Sequence, residues 1–343
     1  MEGKTAIPEF ALHWALRLGA NLPSLNRLRG GINNQVFRCS HGLQHWVIKG
    51  YADAQAGQGD RMQAEVEFLQ FASQAAPGFT PSLIHVDSER RCVVLEHLEG
   101  RGFAEGSPPS EAALTDAVEF FRQLNADKKS AKKSILLDAV EGFNSLHEHL
   151  SNVRERINRM SSVHLHPQYR PQAETLLSQL NREWAEIERH TTKMIDQGKI
   201  INAITPELRY VSPSDFGFHN AIRTPERTYF IDFEFAGWDD PAKAALDFIL
   251  QPRVPVAKQR SPLLDALPPE HRLTVYRRCE VLGPILRIKW ACIVLAVLQP
   301  TRLEQIMHNM PEQSPEDLIR NRIERAYSYL RKPPMAAYLS GQS

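Results

Sequence analysis

Cysteine is scarce in this chain of 343 residues: Cys39, Cys92, Cys279 and Cys292 are the whole complement, and no two stand in C-x-x-C spacing. That excludes a disulfide framework and a cysteine-ligated zinc site; three of the four lie in apolar stretches, as buried free thiols do. Excess charge is lacking too, with 41 Lys+Arg against 40 Asp+Glu. A balanced chain has no electrostatic footprint for nucleic acid or an anionic membrane, and neither is expected as a partner. Any phosphate binding must come from a local constellation. Long apolar runs are missing as well. Leu282 to Leu298 is interrupted by Arg287 and Lys289, which leaves about half of the ~20 residues a spanning helix needs and predicts a buried helix. The start, Met1-Glu-Gly-Lys-Thr-Ala-Ile-Pro8, has no basic-then-apolar layout, so a cytoplasmic location is expected. Internal repeats and low-complexity tracts are absent.

Hydrophobic residues make up 42% of the sequence. At this length a two-part enzyme with a cleft is expected, since single cores stop growing at roughly 250–300 residues. The first hundred residues carry most of the strand signal. Gln35–Cys39 and Gln44–Lys49 flank a turn at Ser40–Leu43, and Arg61–Ser73 reads as a helix with Met62, Val66, Leu69 and Ala72 on one face. Two further strands are expected at Pro81–Val86 and Arg91–Glu96. After about Arg101 helices dominate: Ser110–Asn125, Pro167–Gln197, Glu270–Leu298 and Pro315–Arg331. A pair of short strands, Asn220–Arg223 and Thr228–Phe233, interrupts them.

That pair carries the chemistry. Asp215 follows Ser212-Pro213-Ser214, a run that favours an irregular loop. Asn220 opens the first strand, and Asp232 ends the returning apolar strand. A hairpin of this length brings Asn220 and Asp232 back to one end. Two oxygen ligands there, with a carboxylate nearby, suit Mg²⁺ carried by a nucleotide phosphate. Asp215 is then placed to orient or deprotonate a substrate hydroxyl. In the amino-terminal half, the paired Gly30-Gly31 would let backbone approach phosphate closely, and Lys49 alternates out of an apolar strand.

Asp-x-x-x-x-Asn followed by hydrophobic-Asp-Phe resembles the catalytic loop and metal-binding strand of the aminoglycoside phosphotransferases and choline kinases, distant relatives of the protein kinases. The resemblance covers residues 25–250. It implies an α+β, bilobal protein kinase-like fold with a small antiparallel-sheet N-lobe and a larger, mainly helical C-lobe. The corresponding divisions are residues 1–95, a hinge at 96–100, residues 101–332 and a tail at 333–343. In that family the positions matching Asp215, Asn220 and Asp232 are catalytic base and two metal ligands. The segment Gly30-Gly31-Ile-Asn-Asn34-Gln-Val-Phe-Arg38 is similar to the family's phosphate-covering hairpin. Lys49 is the implied phosphate-binding lysine, and its anionic partner is Glu65, with Glu67 as the alternative. Cys92–Gly100 resembles the interlobe hinge, where backbone near Glu96 and Leu98 would meet adenine. Two departures stand out. Pro213 replaces a histidine that braces the loop in many members, and Glu234 replaces a glycine, giving the Asp-Phe-Glu of choline kinases. Asp247 is the implied structural brace.

The resemblance thus implies an enzyme using ATP and Mg²⁺ to phosphorylate a hydroxyl of a small molecule: a sugar, amino sugar, aminoglycoside or amino alcohol. A choline/ethanolamine-type kinase and a non-catalytic nucleotide-binding scaffold are the alternatives. A protein kinase is disfavoured, because His-Arg-Asp and an activation segment are missing. Glu234, Asp239 and Asp240 could line a cationic acceptor's pocket, and Phe235, Trp238 and Trp290 could cage a quaternary amine. Arg287 and Lys289 would instead suit an anion.

Overall fold

Antiparallel pairing builds the first sheet of the computed structural model, which describes residues 7–20, 24–28, 34–53, 59–135, 137–161, 170–256, 261–309 and 314–331. Its contacts divide the chain into two compact units: Met1–Ala104 with Glu111–Val140 and Pro213–Gly237, and Glu105–Ser110 with Glu141–Ser212 and Trp238–Ser343. The Asp215–Asp232 hairpin therefore belongs with the amino-terminal sheet by contacts, although it lies within residues 101–332 of the chain.

In the first unit, α1 (Glu9–Arg17) precedes β1 (Leu25–Arg27), β2 (Gln35–His41) and β3 (Gln44–Gly50). Then come α2 (Arg61–Ala75), β4 (Leu83–Asp87), β5 (Cys92–Glu96) and β6 (Arg101–Gly102). The five-stranded antiparallel sheet runs β1-β2-β3-β5-β4. A two-residue turn joins β2 to β3, and Gly42 supplies the positive φ of 58° that such turns need. The register pairs Phe37 with Ile48 and Ile48 with Val94. That face packs on Ala11, Trp14 and Ala15 of α1 in one core cluster. Lys49, one residue on, points to the other face by the alternation of strands.

The rest of the unit holds α3 (Glu111–Leu124), α4 (Lys128–Ser134), β8 (Ala221–Arg223) and β9 (Thr228–Phe230), with β6-β8-β9 forming a second sheet. Gly100 is required here, because a Cβ would sit 2.6 Å from the Arg223 carbonyl oxygen. Phe120 of α3 is a hub: its ring stacks on Phe230 at 5.0 Å and lies within 6.4 Å of Phe68, Phe79, Phe216 and Phe233. Phe68 of α2 stacks on Phe233 at 4.4 Å.

The second unit is helical: α5 (Leu146–Ser161), α6 (Arg170–Asp196), α7 (Pro241–Leu250), α8 (Pro269–Leu295), α9 (Pro300–Asn309) and α10 (Pro315–Arg331). A short ribbon pairs β7 (Tyr210–Ser212) with β10 (Gly237–Asp239). α8 packs against α5, α6, α7 and α10. Among the described residues the span Pro269–Leu298 is the one stretch long and apolar enough to cross a membrane, and 67% of its most apolar window is buried inside the protein. The four cysteines are free and buried. The helices α1, α4, α5 and α9 and the strands β1, β6, β7 and β10 are additions to the elements expected from sequence. Residues 333–343, expected as a tail, lie outside the described residues.

Candidate active site

Asp215 stands on a turn that its neighbours force. Ser214 adopts φ 64°, in the left-handed region that costs a non-glycine residue energy, and its hydroxyl donates to the Val140 carbonyl at 3.2 Å. The buried rings of Phe216 and Phe218 then root the chain in the phenylalanine cluster. The Asp215 carboxylate between them and the loop is left 39% exposed. Asn220 donates from Nδ2 to the Asp215 carbonyl at 3.1 Å and to its Oδ2 at 3.2 Å. His219 Nε2 lies 3.1 Å from Asp215 Oδ1. The carboxylate is thus gripped on both oxygens yet open to solvent.

The returning strand ends earlier than its apolar run suggested. β9 stops at Phe230 rather than Phe233, because Asp232 takes φ 69° and turns the backbone out of the ladder. Aspartate tolerates this conformation better than most residues. The expected closure still occurs: the Ile231 N–H donates to the Asn220 carbonyl at 3.0 Å, one step beyond the Ala221–Phe230 pair. Asn220 and Asp232 therefore share one end of the hairpin.

Asp232 Oδ1 accepts from Lys49 Nζ at 2.6 Å, and Glu65 Oε2 accepts from the same ammonium at 2.5 Å. Glu67 takes no part; its carboxylate accepts from Gln63 at 2.8 Å. The lysine that alternates out of β3 is met by a glutamate on the buried face of α2. Burial alone would lower the Lys49 pKa, but the carboxylates of Asp232, Glu65 and Glu234 outweigh it and hold the ammonium charged above its ordinary range. Tyr51 donates its hydroxyl to Glu65 at 2.7 Å, and burial followed by that carboxylate raises the phenol's pKa.

Glu234 lies 3% exposed beside this cluster. Asn34 Nδ2 donates to its Oε2 at 2.5 Å, and Arg61 Nη1 approaches its Oε1 at 3.9 Å while stacking over the Phe235 ring at 5.1 Å. Burial, then repulsion from Asp232, raise the Glu234 pKa. Gly30 and Gly31 lie outside the described residues. At the end of β5, the Glu96 N–H donates to the Ser82 carbonyl at 2.9 Å and its carboxylate accepts from the Ser82 amide and hydroxyl. An adenine contact at Glu96 would have to use its carbonyl. Leu98 follows two residues on, past the strand's end.

The metal expectation can be tested on the donors. Asn220 commits its amide nitrogen to Asp215, and Asp232 commits Oδ1 to Lys49. Among the described residues no protein partner engages Asn220 Oδ1 or Asp232 Oδ2. Both are hard oxygens of the kind Mg²⁺ prefers, so the residues fit the ion. No group of three or more His, Cys, Asp or Glu among the described residues is arranged to hold a metal by itself.

The remaining candidates lie in the second unit and offer little surface. Asp239 is fully buried, accepting from Lys243 Nζ at 2.7 Å, and burial raises its pKa to about 6. Asp240 caps α7 through the Ala242 amide and pairs with Arg278. Trp238 is 7% exposed, and Trp290 donates to Asp247 at 2.8 Å. Arg287 pairs with Glu183 at 3.2 Å and Lys289 with Asp247 at 2.9 Å. Each of these charged and aromatic groups is thus buried or engaged by a neighbouring group. His219, Arg61 and Tyr51 are the site residues that sequence reasoning passed over. His219 had a signal, standing four residues after Asp215 and one before Asn220.

A model of the APH family, described as the phosphotransferase enzyme family, matches residues 24–243. No curated protein sequence matches. The structure resembles a choline/ethanolamine kinase family protein from Mesorhizobium loti, at 18% identity and TM-score 0.56, over 96% of this chain and 98% of that one. It also resembles a spectinomycin phosphotransferase solved with ADP and spectinomycin, at 12% identity and TM-score 0.57, over 95% and 100% of the two chains. A third is a Plasmodium vivax ethanolamine kinase, at 11% identity and TM-score 0.53, over 92% and 84%. At such identities the likeness establishes a kinase-like fold with an antiparallel N-terminal sheet and a mainly helical C-terminal part. The family model, which spans more than half of the sequence and includes Lys49, Glu65, Asp215, Asn220 and Asp232, places this chain in the phosphotransferase enzyme family.

Proposed function

We propose that the protein transfers the γ-phosphoryl group of ATP to a hydroxyl of a small molecule, with Asp215 as the base. The observation that carries this reading is the coexistence of two linked constellations: the Lys49–Glu65–Asp232 ion-pair set and an exposed Asp215 gripped by Asn220, joined through one short hairpin. Lys49, held charged by its carboxylates, binds phosphate oxygens. Asn220 and Asp232 would hold Mg²⁺, which when bound would supply charge to neutralise the phosphates. Asp215 accepts the hydroxyl proton on one carboxylate oxygen while Asn220 and His219 fix the orientation of the group. Little covalent help is needed, so most of the rate comes from positioning and charge.

The carboxylates Glu65, Asp232 and Glu234 surround Lys49 and Arg61 with a net negative charge. Such a site repels bare nucleotide and favours nucleotide carried by a divalent cation. The acceptor is a hydroxyl compound of the sugar, amino-sugar, aminoglycoside or amino-alcohol class. Purified protein is to be given ATP and Mg²⁺ with amino sugars, aminoglycosides, choline, ethanolamine and free sugars in turn. Phosphorylation of one class, slowed at least about a hundredfold by Asp215→Ala while Mg·ADP still binds, is the expected result. Selective phosphorylation of choline or ethanolamine would assign the amino-alcohol branch. Mg·ADP binding with no acceptor phosphorylated would leave a nucleotide-binding scaffold, and an Asp215→Ala enzyme of near wild-type kcat would remove the proposed base.

A further inference from the structure

Glu234 performs no step in the reaction described above, yet it is buried where a carboxylate is costly. It lies two residues past Asp232, with 3% of its surface exposed, and removing a carboxylate from water beside a second one must be compensated by donors. The compensation is specific. Asn34, 200 residues away in sequence, donates Nδ2 to Oε2 at 2.5 Å, and Arg61 from the first turn of α2 approaches Oε1 at 3.9 Å. Asn34 stands immediately before β2, whose Val36 pairs with Lys49 of β3. Lys49 in turn holds Asp232 at 2.6 Å. The segment Asp232–Glu234 is therefore tied to the sheet at two points, through Lys49 at one end and through Asn34 at the other.

Two ties separated by two residues fix orientation in a way that one cannot. With the Lys49–Asp232 bond alone, the segment can pivot about that contact. The Asn34 bond removes the pivot and holds the entrance of β2 at a constant distance from the oxygen proposed to meet the metal. An acceptor-binding role fits poorly, since Oε2 is occupied by Asn34 and Oε1 faces Arg61. We propose that Glu234 is a positioning residue for the nucleotide: by pinning Asn34 it sets the geometry between the start of β2 and Asp232, and so the affinity for the metal–nucleotide complex. This rests on the phosphotransferase reading of the same site.

Full-length protein titrated calorimetrically with Mg·ADP needs no knowledge of the acceptor. Glu234→Ala and Asn34→Ala are each expected to weaken Mg·ADP binding about tenfold, the worth of one hydrogen bond to a charged group. The double variant should be no weaker than either single one, because both remove the same interaction. Glu234→Gln keeps an oxygen that can accept from Asn34 and should recover most of the affinity. With a phosphorylated acceptor in hand, KM for ATP should rise while kcat and the acceptor KM stay within about twofold. Effects that multiply to about a hundredfold in the double variant would overturn the tie. So would a Glu234→Gln loss as large as that of alanine, which would point to direct metal ligation, or a change confined to the acceptor KM. Should Glu234→Ala fail to fold, Asn34→Ala, Glu234→Gln and their combination make the same comparison. Wild-type protein that binds no Mg·ADP would sink the phosphotransferase reading itself; wild-type binding matched by every variant would sink only the tie.

Discussion

Lys49 and Lys243 are buried to nearly the same degree, 5% and 2% exposed, and both are ringed by carboxylates. Their surroundings differ in what is left over. Around Lys243 every charge meets another inside the second unit: Asp239 at 2.7 Å, Asp247 at 3.6 Å, then Lys289 on Asp247 at 2.9 Å and on Glu141 at 3.9 Å, with Arg156 on Glu141. Asp239 is fully sealed and Asp247 is 6% exposed. Around Lys49 the balance is incomplete, for Asp232 keeps 34% of its side chain exposed and the linked Asp215 keeps 39%. A closed set of charges holds a fold together. An open one, with oxygens facing solvent, is prepared for a ligand.

Substitutions can break this contrast in order of size. Asp215→Ala should lower kcat by about a hundredfold to ten-thousandfold, the usual worth of a general base, and leave Mg·ADP affinity unchanged by calorimetry. Asp247→Ala should do the reverse. It strips Lys289, Lys243 and the Trp290 indole of a shared partner, and breaking a buried pair costs about 3–5 kcal/mol, read by denaturant unfolding. Mg·ADP affinity of the folded fraction should persist.

A pH titration sharpens the same distinction. Burial, reinforced by Lys243, Lys289 and Arg278, pushes the His149 pKa well below its ordinary value. The unfolded chain therefore takes up this proton first. The stability that neutral His149 preserves is complete above about pH 6.5 and drains below it, at up to about 1.4 kcal/mol per pH unit. Asp239, raised to about 6, works the other way, since its folded form binds a proton more tightly than the unfolded chain does. The two overlap, so the measurement is the difference in unfolding free energy between wild type and His149→Phe from pH 7 to pH 5. The variant should lose less stability on acidification. The smallest effect expected is that of Glu67→Ala, within about 0.5 kcal/mol in stability and without change in nucleotide affinity. A large effect would undo the choice of Glu65 over Glu67.

Local signals carried much of the fold. The β2–β3 hairpin, α2, β5, α3, α6, α8 and α10 all fall where periodicity and turn residues place them, because each is fixed by neighbours in sequence. α5 has a comparable stripe, with Leu146, Leu150, Val153, Ile157 and Met160 buried, but its many charged residues hid it. The candidate site was legible as residue types in order around a hairpin. What the sequence could not show was which groups were already engaged. Asp239 and Glu234 look alike as acidic residues just past Asp232; one is sealed against a lysine four residues on, the other reaches an asparagine 200 positions back. The phenylalanine cluster was equally hidden, since Phe68, Phe120, Phe216, Phe230 and Phe233 come from four separate segments.

The chain enters the first unit three times, and the last visit, Pro213–Gly237, brings the hairpin. During synthesis this order has a cost. A nascent chain that has reached Ser212 has its five-stranded sheet, α2 and α3 in hand, but Phe68 and Phe120 still lack Phe216, Phe230 and Phe233. Lys49 has met Glu65 and waits for Asp232. Through that interval a greasy surface lies open beside an ion-pair set still missing one carboxylate, the state in which partly made proteins stick to one another or to chaperones. The hairpin that carries the proposed base is thus also the closing stitch of its own unit, and ribosome stalling before residue 237 would release a sticky intermediate rather than a half-active enzyme.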